Sequence, residues 1–436
     1  MIIIDKTNFP INTFRKLLTF SEYIFVITYL ILYAAGVVVL ILTGGANEGD
    51  GKIAQNFDFS LNRFLFFINY IITFFLLVLR WRQTLYTLTS NALIWILILL
   101  VPISTIWSVE PDKTFSASIA MIGTCLFGLY LASNYSPKQQ LQLIGWSFAV
   151  SIILCFIFAI AWRKYGVMGG IHAGAWRGIY THKNWLGRMM VLGMGILFIL
   201  ASDAKKYRLV LWGGFSLAFL LVLLSRSGGA LINAVIILSI TIMGRALRFQ
   251  AKLLIPVLLT AVAVGAILSL GADSLAEIVL GSVGKDLSLT GRTDIWPYVI
   301  DKIRERPFWG YGFAVFWNGL QGESAYVWRA VKWTVPDSHN GFLDLLIDLG
   351  FVGFFLFCIS FLQTLIRSLV WVRTEQSWIS LWSLLFLVYL LLSNSSESAL
   401  FSRNSLIWVL YSTLVFTLSL EVKRKRNKRL LFANPF

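Results

Sequence analysis

Twelve stretches of this chain are each apolar for about the length a bilayer demands. A hydrocarbon core of about 30 Å takes roughly 20 residues as a helix. The stretches lie at 22–44, 64–80, 88–107, 114–133, 142–162, 185–202, 208–225, 229–244, 253–271, 341–366, 377–394 and 404–420. Composition says the same: 58% of the 436 residues are apolar and 13% charged, with a mean hydropathy of +0.76. A soluble domain has about 45–50% apolar and about 25% charged residues, so a soluble enzyme, a disordered chain and a fibrous repeat are excluded. The expected fold class is an all-α integral membrane protein with about 12 transmembrane helices. Seventeen Trp and fifteen Tyr residues fit membrane interfaces, where both concentrate. Cys125, Cys155 and Cys358 all fall inside apolar runs and read as small core residues rather than disulfides or metal ligands.

Lys and Arg set the orientation of such a chain. With both termini in the cytoplasm, the inner loops carry Lys6, Arg15, Lys16, Arg80, Arg82, Lys138, Lys205, Lys206, Arg208, Arg245, Arg248, Lys252, Arg367, Arg373 and the tail from Lys423 to Arg429. The tail reads as an orientation signal that also touches anionic lipid, not as a nucleic-acid site. The first twenty residues contain Asp5 and Pro10 and no small-residue cleavage site, so no removable signal peptide is expected. The chain divides into nine N-terminal spans (1–271), an outer loop (272–340) with an amphipathic helix at 294–306, three C-terminal spans (341–420) and a basic tail (421–436).

The outer side should be poor in positive charge, and it is not. One outer loop holds Arg163, Lys164, Arg177 and Lys183; a tight turn at 225–229 holds Arg226; the long loop holds Lys285, Arg292, Lys302, Arg304, Arg306, Arg329 and Lys332. Arg226, between two apolar spans, must face the interior or a cavity. Guanidinium groups bind phosphate through paired hydrogen bonds. Nucleotides are scarce outside the cytoplasm, so a phosphate-bearing substrate there would be carried by a lipid. Contact with lipid head groups is the other reading, chiefly for Arg304, Arg306 and Lys332.

Within the long loop, Ile295, Val299 and Ile303 fall at i, i+4 and i+8. They form one apolar helical face, expected to lie flat on the membrane with Trp296 as anchor. Trp309-Gly310-Tyr311-Gly312-Phe313 offers a tight turn beside aromatic faces, suited equally to sugar rings and to interfacial anchoring. Asp337-Ser338-His339-Asn340-Gly341 then precedes the tenth stretch. Asp337 or Ser338 is expected to cap that helix and His339 to occupy its first turn, where the helix dipole lowers imidazole basicity. A neutral histidine can act as general base, and only His172, His182 and His339 are available. Asp344 and Asp348, four apart inside an apolar run, are costly in a membrane and therefore functional or paired. Glu397 is a weaker candidate of the same kind.

Four segments resemble one known family in order and spacing. They are Arg177 with Thr181-His182-Lys183-Asn184-Trp185-Leu186-Gly187; Ser225-Arg226-Ser227-Gly228-Gly229; Gly291-Arg292-Thr293-Asp294-Ile295-Trp296; and His339-Asn340 with Gly350 and Gly353. Together, over about residues 175–360, they resemble the O-antigen ligase and O-antigen polymerase superfamily of bacterial envelope glycosyltransferases. The ligase pattern's Leu four residues after the turn arginine is replaced here by Ala230, with Leu231 one later. The resemblance implies a GT-C membrane glycosyltransferase fold in the bacterial inner membrane. It implies an undecaprenyl-pyrophosphate-linked oligosaccharide donor used at the periplasmic face, inversion at the anomeric centre, and no metal or other cofactor. It also implies that Arg226 and Arg292, with Arg177, bind the donor pyrophosphate. His339 would deprotonate the acceptor hydroxyl, with His182, Lys183, Asn184, Asn340 and Asp344 in support.

Two activities share that chemistry. A polymerase would join lipid-linked repeat units of an exopolysaccharide or O-antigen, and a ligase would move the finished glycan to a lipid A-core acceptor. The Thr-His-Lys-Asn-Trp-Leu-Gly run resembles the exopolysaccharide-polymerising branch more closely, which favours the polymerase. A polysaccharide-lipid transporter or flippase is the rival from another class. Transporters typically show repeated halves, and no such symmetry is seen in this chain.

Overall fold

The computed structural model describes residues 9–45, 58–246, 250–279 and 292–433. Lys6, Arg248, Lys285 and Gly291 lie outside the described residues, as do the side chains of Arg15, Lys252, Arg292 and of the tail from residue 425 onward. Thirteen described helices exceed ten residues. They are α1 Phe9–Ala34, α2 Ser60–Leu79, α3 Ala92–Ile103, α4 Pro111–Asn134, α5 Pro137–Ala161, α6 Lys183–Asp203, α7 Arg208–Leu224, α8 Gly228–Ala246, α9 Ala251–Val279, α10 Arg292–Glu305, α11 Gly341–Thr374, α12 Leu381–Ser395 and α13 Leu406–Ala433.

The chain is an all-helical integral membrane protein. Among the described residues, nine helices are long and apolar enough to cross a bilayer. The other three of the twelve apolar stretches are helical but are either bent or shorter in their apolar part. Trp81–Leu88 and α3 meet at 91°, because the chain breaks at Ser90-Asn91 and the Asn91 side chain caps α3 by accepting from the Ile94 N–H at 3.3 Å. The stretch at 208–225 forms α7, whose 17 residues rise only about 26 Å. The apolar part of α9 is Ile255–Leu268, although the helix continues to Val279.

Burial places α6, α12 and α13 at the centre of the bundle, while α2 is mostly exposed and so faces lipid. Small residues let the helices approach: a Cβ on Gly187 of α6 would press on Ser225, Ser227 and Ala230 at the α7–α8 junction. At one end of the bundle Lys138 pairs with Asp203 at 2.9 Å, Arg80 with Glu22 at 2.6 Å, and Arg245 donates to the Gln376 carbonyl. The candidate functional residues gather at the other end.

The loop between α9 and α11 has a small core of its own. Ile295, Val299 and Ile303 of α10 are buried against Tyr311, Phe316, Val327, Val335 and Ile347. The amphipathic helix expected at 294–306 is therefore present, but its apolar face is covered by protein instead of lipid. Trp296 is part of that packing, and its indole N–H donates to the Ser338 carbonyl at 3.0 Å.

The Trp309–Phe313 segment docks into a break in α11. Gly350 has φ +62° and ψ −164°, a conformation essentially confined to glycine, and a Cβ there would collide with the main chain of Phe308 and Trp309. The groups freed by the break are taken up across the contact. Tyr311 N–H donates to the Ile347 carbonyl at 2.9 Å, Gly312 N–H to the Asp348 carbonyl at 3.0 Å, and Phe351 N–H to the Pro307 carbonyl at 2.8 Å. Non-helical backbone near membrane depth is tolerated only when satisfied by protein in this way. Tyr311 and Phe313 are buried, so their rings serve packing here; Trp309 remains half-exposed, in contact with Trp107.

Candidate functional site

His339 lies outside α11, not in its first turn. Asn340 is the N-cap: its Oδ1 accepts from the Phe342 and Leu343 N–H groups at 3.0 and 3.3 Å, satisfying two donors that a helix start leaves without intrahelical partners. His339 precedes the cap with a left-handed backbone, φ +50°, which costs a non-glycine residue about 1–3 kcal/mol. The surroundings hold this turn. His339 N–H donates to Asp337 Oδ1 at 2.9 Å, and Asn340 N–H donates to Ser398 Oγ at 3.1 Å. Ser338 N–H donates to Asp344 Oδ1 at 3.2 Å, which also accepts from the Trp317 indole at 3.0 Å. Asp344 thus fixes the turn before His339, and Asp348 accepts from the Ala314 N–H at 3.0 Å.

The imidazole is mostly covered. Its Nδ1 lies 3.6 Å from Asp337 Oδ1 and 3.7 Å from Glu397 Oε2, within ion-pair range. The Trp333 ring is nearly parallel to it, centroids 6.4 Å apart. Glu397 sits between α12 and α13, and its Oε1 accepts from Asn184 Nδ2 at 3.3 Å. Its Oε2 is 3.9 Å from Arg188 Nη2, and the Arg188 guanidinium rests over the Trp185 ring.

The start of α6 reaches the other charged segment as well. Lys183 Nζ donates to the Arg226 carbonyl at 3.1 Å. His182 caps α6, its Nδ1 accepting from the Asn184 N–H at 3.2 Å, and its ring meets His172 edge to face. Burial drives the His182 pKa down to about 4, with Glu397 opposing the shift, so His182 is neutral at pH 7.

Arg226 also has φ +50°, in a turn where Ser227 N–H donates to Ser225 Oγ at 3.3 Å. Its side chain is exposed and lies over Gly174, where a Cβ would meet Nη1 at 3.4 Å. Gly174 is part of the wall of an open cleft of about 480 Å³, shared with Gly45, Arg163, Lys164, Val167, Met168, Gly169 and Arg177. Arg177 itself is buried. Its guanidinium donates to the carbonyls of Tyr165 at 2.7 Å, Thr181 at 3.4 Å, Gly45 at 2.7 Å and Lys164 at 3.1 Å, which ties the loop to the bundle. Arg292 opens α10, one turn before Trp296 and its bond to Ser338.

Arg188 and Trp333 were not singled out from the sequence. Arg188 had a signal, an arginine inside the stretch 185–202 that lipid would not tolerate without a partner; Trp333 had none. Among the described residues, no three His, Cys, Asp or Glu side chains are grouped as metal ligands would be.

The fold and this cluster define a polytopic membrane protein with a charged, histidine-bearing site at one end of its helix bundle. Residues 213–358 match the family model described as O-antigen ligase, a span that includes Arg226, Arg292 and His339. The chain is also 22% identical over 293 residues to the exopolysaccharide production protein ExoQ of Rhizobium meliloti (strain 1021), covering 64% of this chain and 66% of that protein. Together the two matches support the O-antigen ligase and polymerase superfamily, near its exopolysaccharide branch.

Proposed function

We propose that this protein is a membrane glycosyltransferase that moves a glycan from an undecaprenyl-pyrophosphate carrier to a sugar hydroxyl, extending an exopolysaccharide or O-antigen. One observation carries the reading. The first turns of α6 join the two functional segments, with Lys183 on the main chain of Arg226 and Asn184 on the carboxylate beside His339. Cationic donors and a candidate base thus share one end of the bundle.

In this reading the acceptor oxygen forms a bond to the anomeric carbon of the donor, and the bond from that carbon to the pyrophosphate breaks. The departing electron pair stays on the lipid pyrophosphate, next to Arg226 and Arg292, which stabilise the growing negative charge. The acceptor's proton passes to His339, a step worth about 10²–10⁴-fold. Attack opposite the leaving group inverts the anomeric centre, and charge stabilisation is assigned to guanidinium groups instead of a metal ion. Arg177 serves by holding the loop that walls the cleft. The remaining expectations, twelve spans in a GT-C arrangement, cytoplasmic termini and a periplasmic site in the inner membrane, belong to the same proposal. The orientation is supported by the basic residues Arg80, Lys138 and Arg245 at the opposite end of the bundle.

The exopolysaccharide name of the matched relative favours a polymerase. The description of the family model as O-antigen ligase favours the second reading, transfer to lipid A-core. Purified protein in lipid, given a short undecaprenyl-pyrophosphate oligosaccharide and no other acceptor, separates them. A ladder of lengthened glycan is expected. Transfer only after lipid A-core is added would make it a ligase, and leaflet exchange of the lipid without transfer would make it a transporter.

A further inference from the structure

We propose that Glu397 is the positioning residue of this site: held by Asn184 and Arg188, its carboxylate lies within ion-pair range of His339 Nδ1 and favours the ring form that leaves Nε2 to receive the acceptor proton. The inference rests on His339 being the base.

Glu397 is placed by its main chain and its side chain together. Its carbonyl accepts from the Gly341 N–H at 3.2 Å, which fastens it to the start of α11 just after the histidine. Its carboxylate is 17% exposed and touches three elements: Asn184 at 3.3 Å, Arg188 at 3.9 Å and His339 at 3.7 Å. Asn184 and Arg188 are four apart on α6 and so share a face. Arg188 is fixed in turn by Trp185 and by the Ser393 carbonyl, 3.5 Å from Nη1. A carboxylate so enclosed is costly unless its partners use it.

A neutral imidazole has one donor nitrogen and one acceptor nitrogen. A negative charge 3.7 Å from Nδ1 favours the form with the proton there and the lone pair on Nε2, the arrangement a general base requires. The charged and titratable groups around His339 are Asp337 on its own segment, Glu397 with Arg188 behind it, and His182 and Lys183 at the start of α6. Asp337 is as close as Glu397, but its nearer oxygen already accepts the main-chain N–H of His339. It shapes the turn, whereas Glu397 reaches the ring from a separate element.

The test is Glu397→Gln, which keeps the shape and the contact with Asn184 but removes the charge. A carboxylate beside an imidazole favours the protonated ring, so its loss favours the neutral one. The acid limb of the rate–pH profile, where transfer rises as His339 loses its proton, should move to lower pH, and the plateau should fall about tenfold or more. With only three histidines in the chain, ¹⁵N-histidine spectra of the protein in lipid nanodiscs give a readout that needs no turnover. The His339 signal, assigned by its absence in His339→Ala, should titrate at lower pH in Glu397→Gln than in the parent. Asp337→Asn should displace it less. If Glu397→Gln does not fold, Glu397→Asp is expected to keep the parental limb with a lowered plateau. A parental limb and plateau in Glu397→Gln, a parental plateau in Glu397→Asp, or the full shift appearing in Asp337→Asn instead, would overturn the role of Glu397. Parental transfer by His339→Ala would overturn the underlying assignment of the base, while the titration would still report on Glu397.

Discussion

The Trp296 indole donates to the carbonyl of Ser338, 42 residues away and next to His339. Through this bond α10, which begins at Arg292, is locked to the turn that presents the histidine. Replacing Trp296 with Phe removes one hydrogen bond and keeps a smaller aromatic ring in the packing. Transfer is expected to fall about two- to tenfold with helix content unchanged. Circular dichroism and a transfer assay check this, and unchanged transfer would show that the bond does not set the geometry.

Arg226 extends from a left-handed turn over the cleft wall at Gly174. Arg226→Ala is expected to weaken binding of the pyrophosphate lipid about tenfold, since a hydrogen-bonded charge is lost from an exposed position. The effect should shrink as salt rises. Titration of a fluorescent donor analogue at two ionic strengths checks it. Parental affinity at both would remove Arg226 from the phosphate site.

The break in α11 depends on Gly350. Gly350→Ala forces a side chain into a glycine-only conformation and onto the Phe308 main chain, which should destabilise the protein by about 2 kcal/mol or more. Gly213→Ala in α7, where a Cβ meets nothing within 4 Å, should not. Thermal melting of both variants in detergent distinguishes them, and a parental melting temperature for Gly350→Ala would mean that the contact between the loop and the break is dispensable.

His182 titrates near pH 4 in the folded protein and near 6.5 once unfolded. As pH falls from about 6.5 toward 4, the unfolded chain binds a proton that the folded one does not. Stability is therefore lost over that window, by up to about 3 kcal/mol from this group. His182→Asn retains a capping oxygen and should flatten the dependence of melting temperature on pH between 7 and 5. An unchanged slope would place the acid sensitivity elsewhere.

Much of this was legible in the chain because membrane physics writes itself into local sequence. The apolar stretches mark the helices, and charges placed where lipid disfavours them, at Arg226, Asp344 and Asp348, stand out. What sequence could not show is non-local. The capping role fell to Asn340 because its side chain reaches two free N–H groups, while Asp337 and Ser338 were drawn into the turn around His339. Arg177 carries a charge suited to phosphate, yet four carbonyls brought near it by the loop fold occupy its donors. The glycines at 310 and 312 read as turn formers and Gly350 as part of the family pattern, and only the fold reveals two backbones meeting there. Glu397 gained weight once α6 was seen to bring Asn184 and Arg188 to it.

The central claim is that His339 takes the proton from the acceptor while the arginines hold the donor, and one comparison tests both halves. Donor-lipid binding and glycan transfer are measured side by side for the parent and His339→Ala in lipid nanodiscs. The account predicts donor affinity within about twofold of the parent and transfer reduced by about 10²-fold or more. Near-parental transfer by His339→Ala would contradict it.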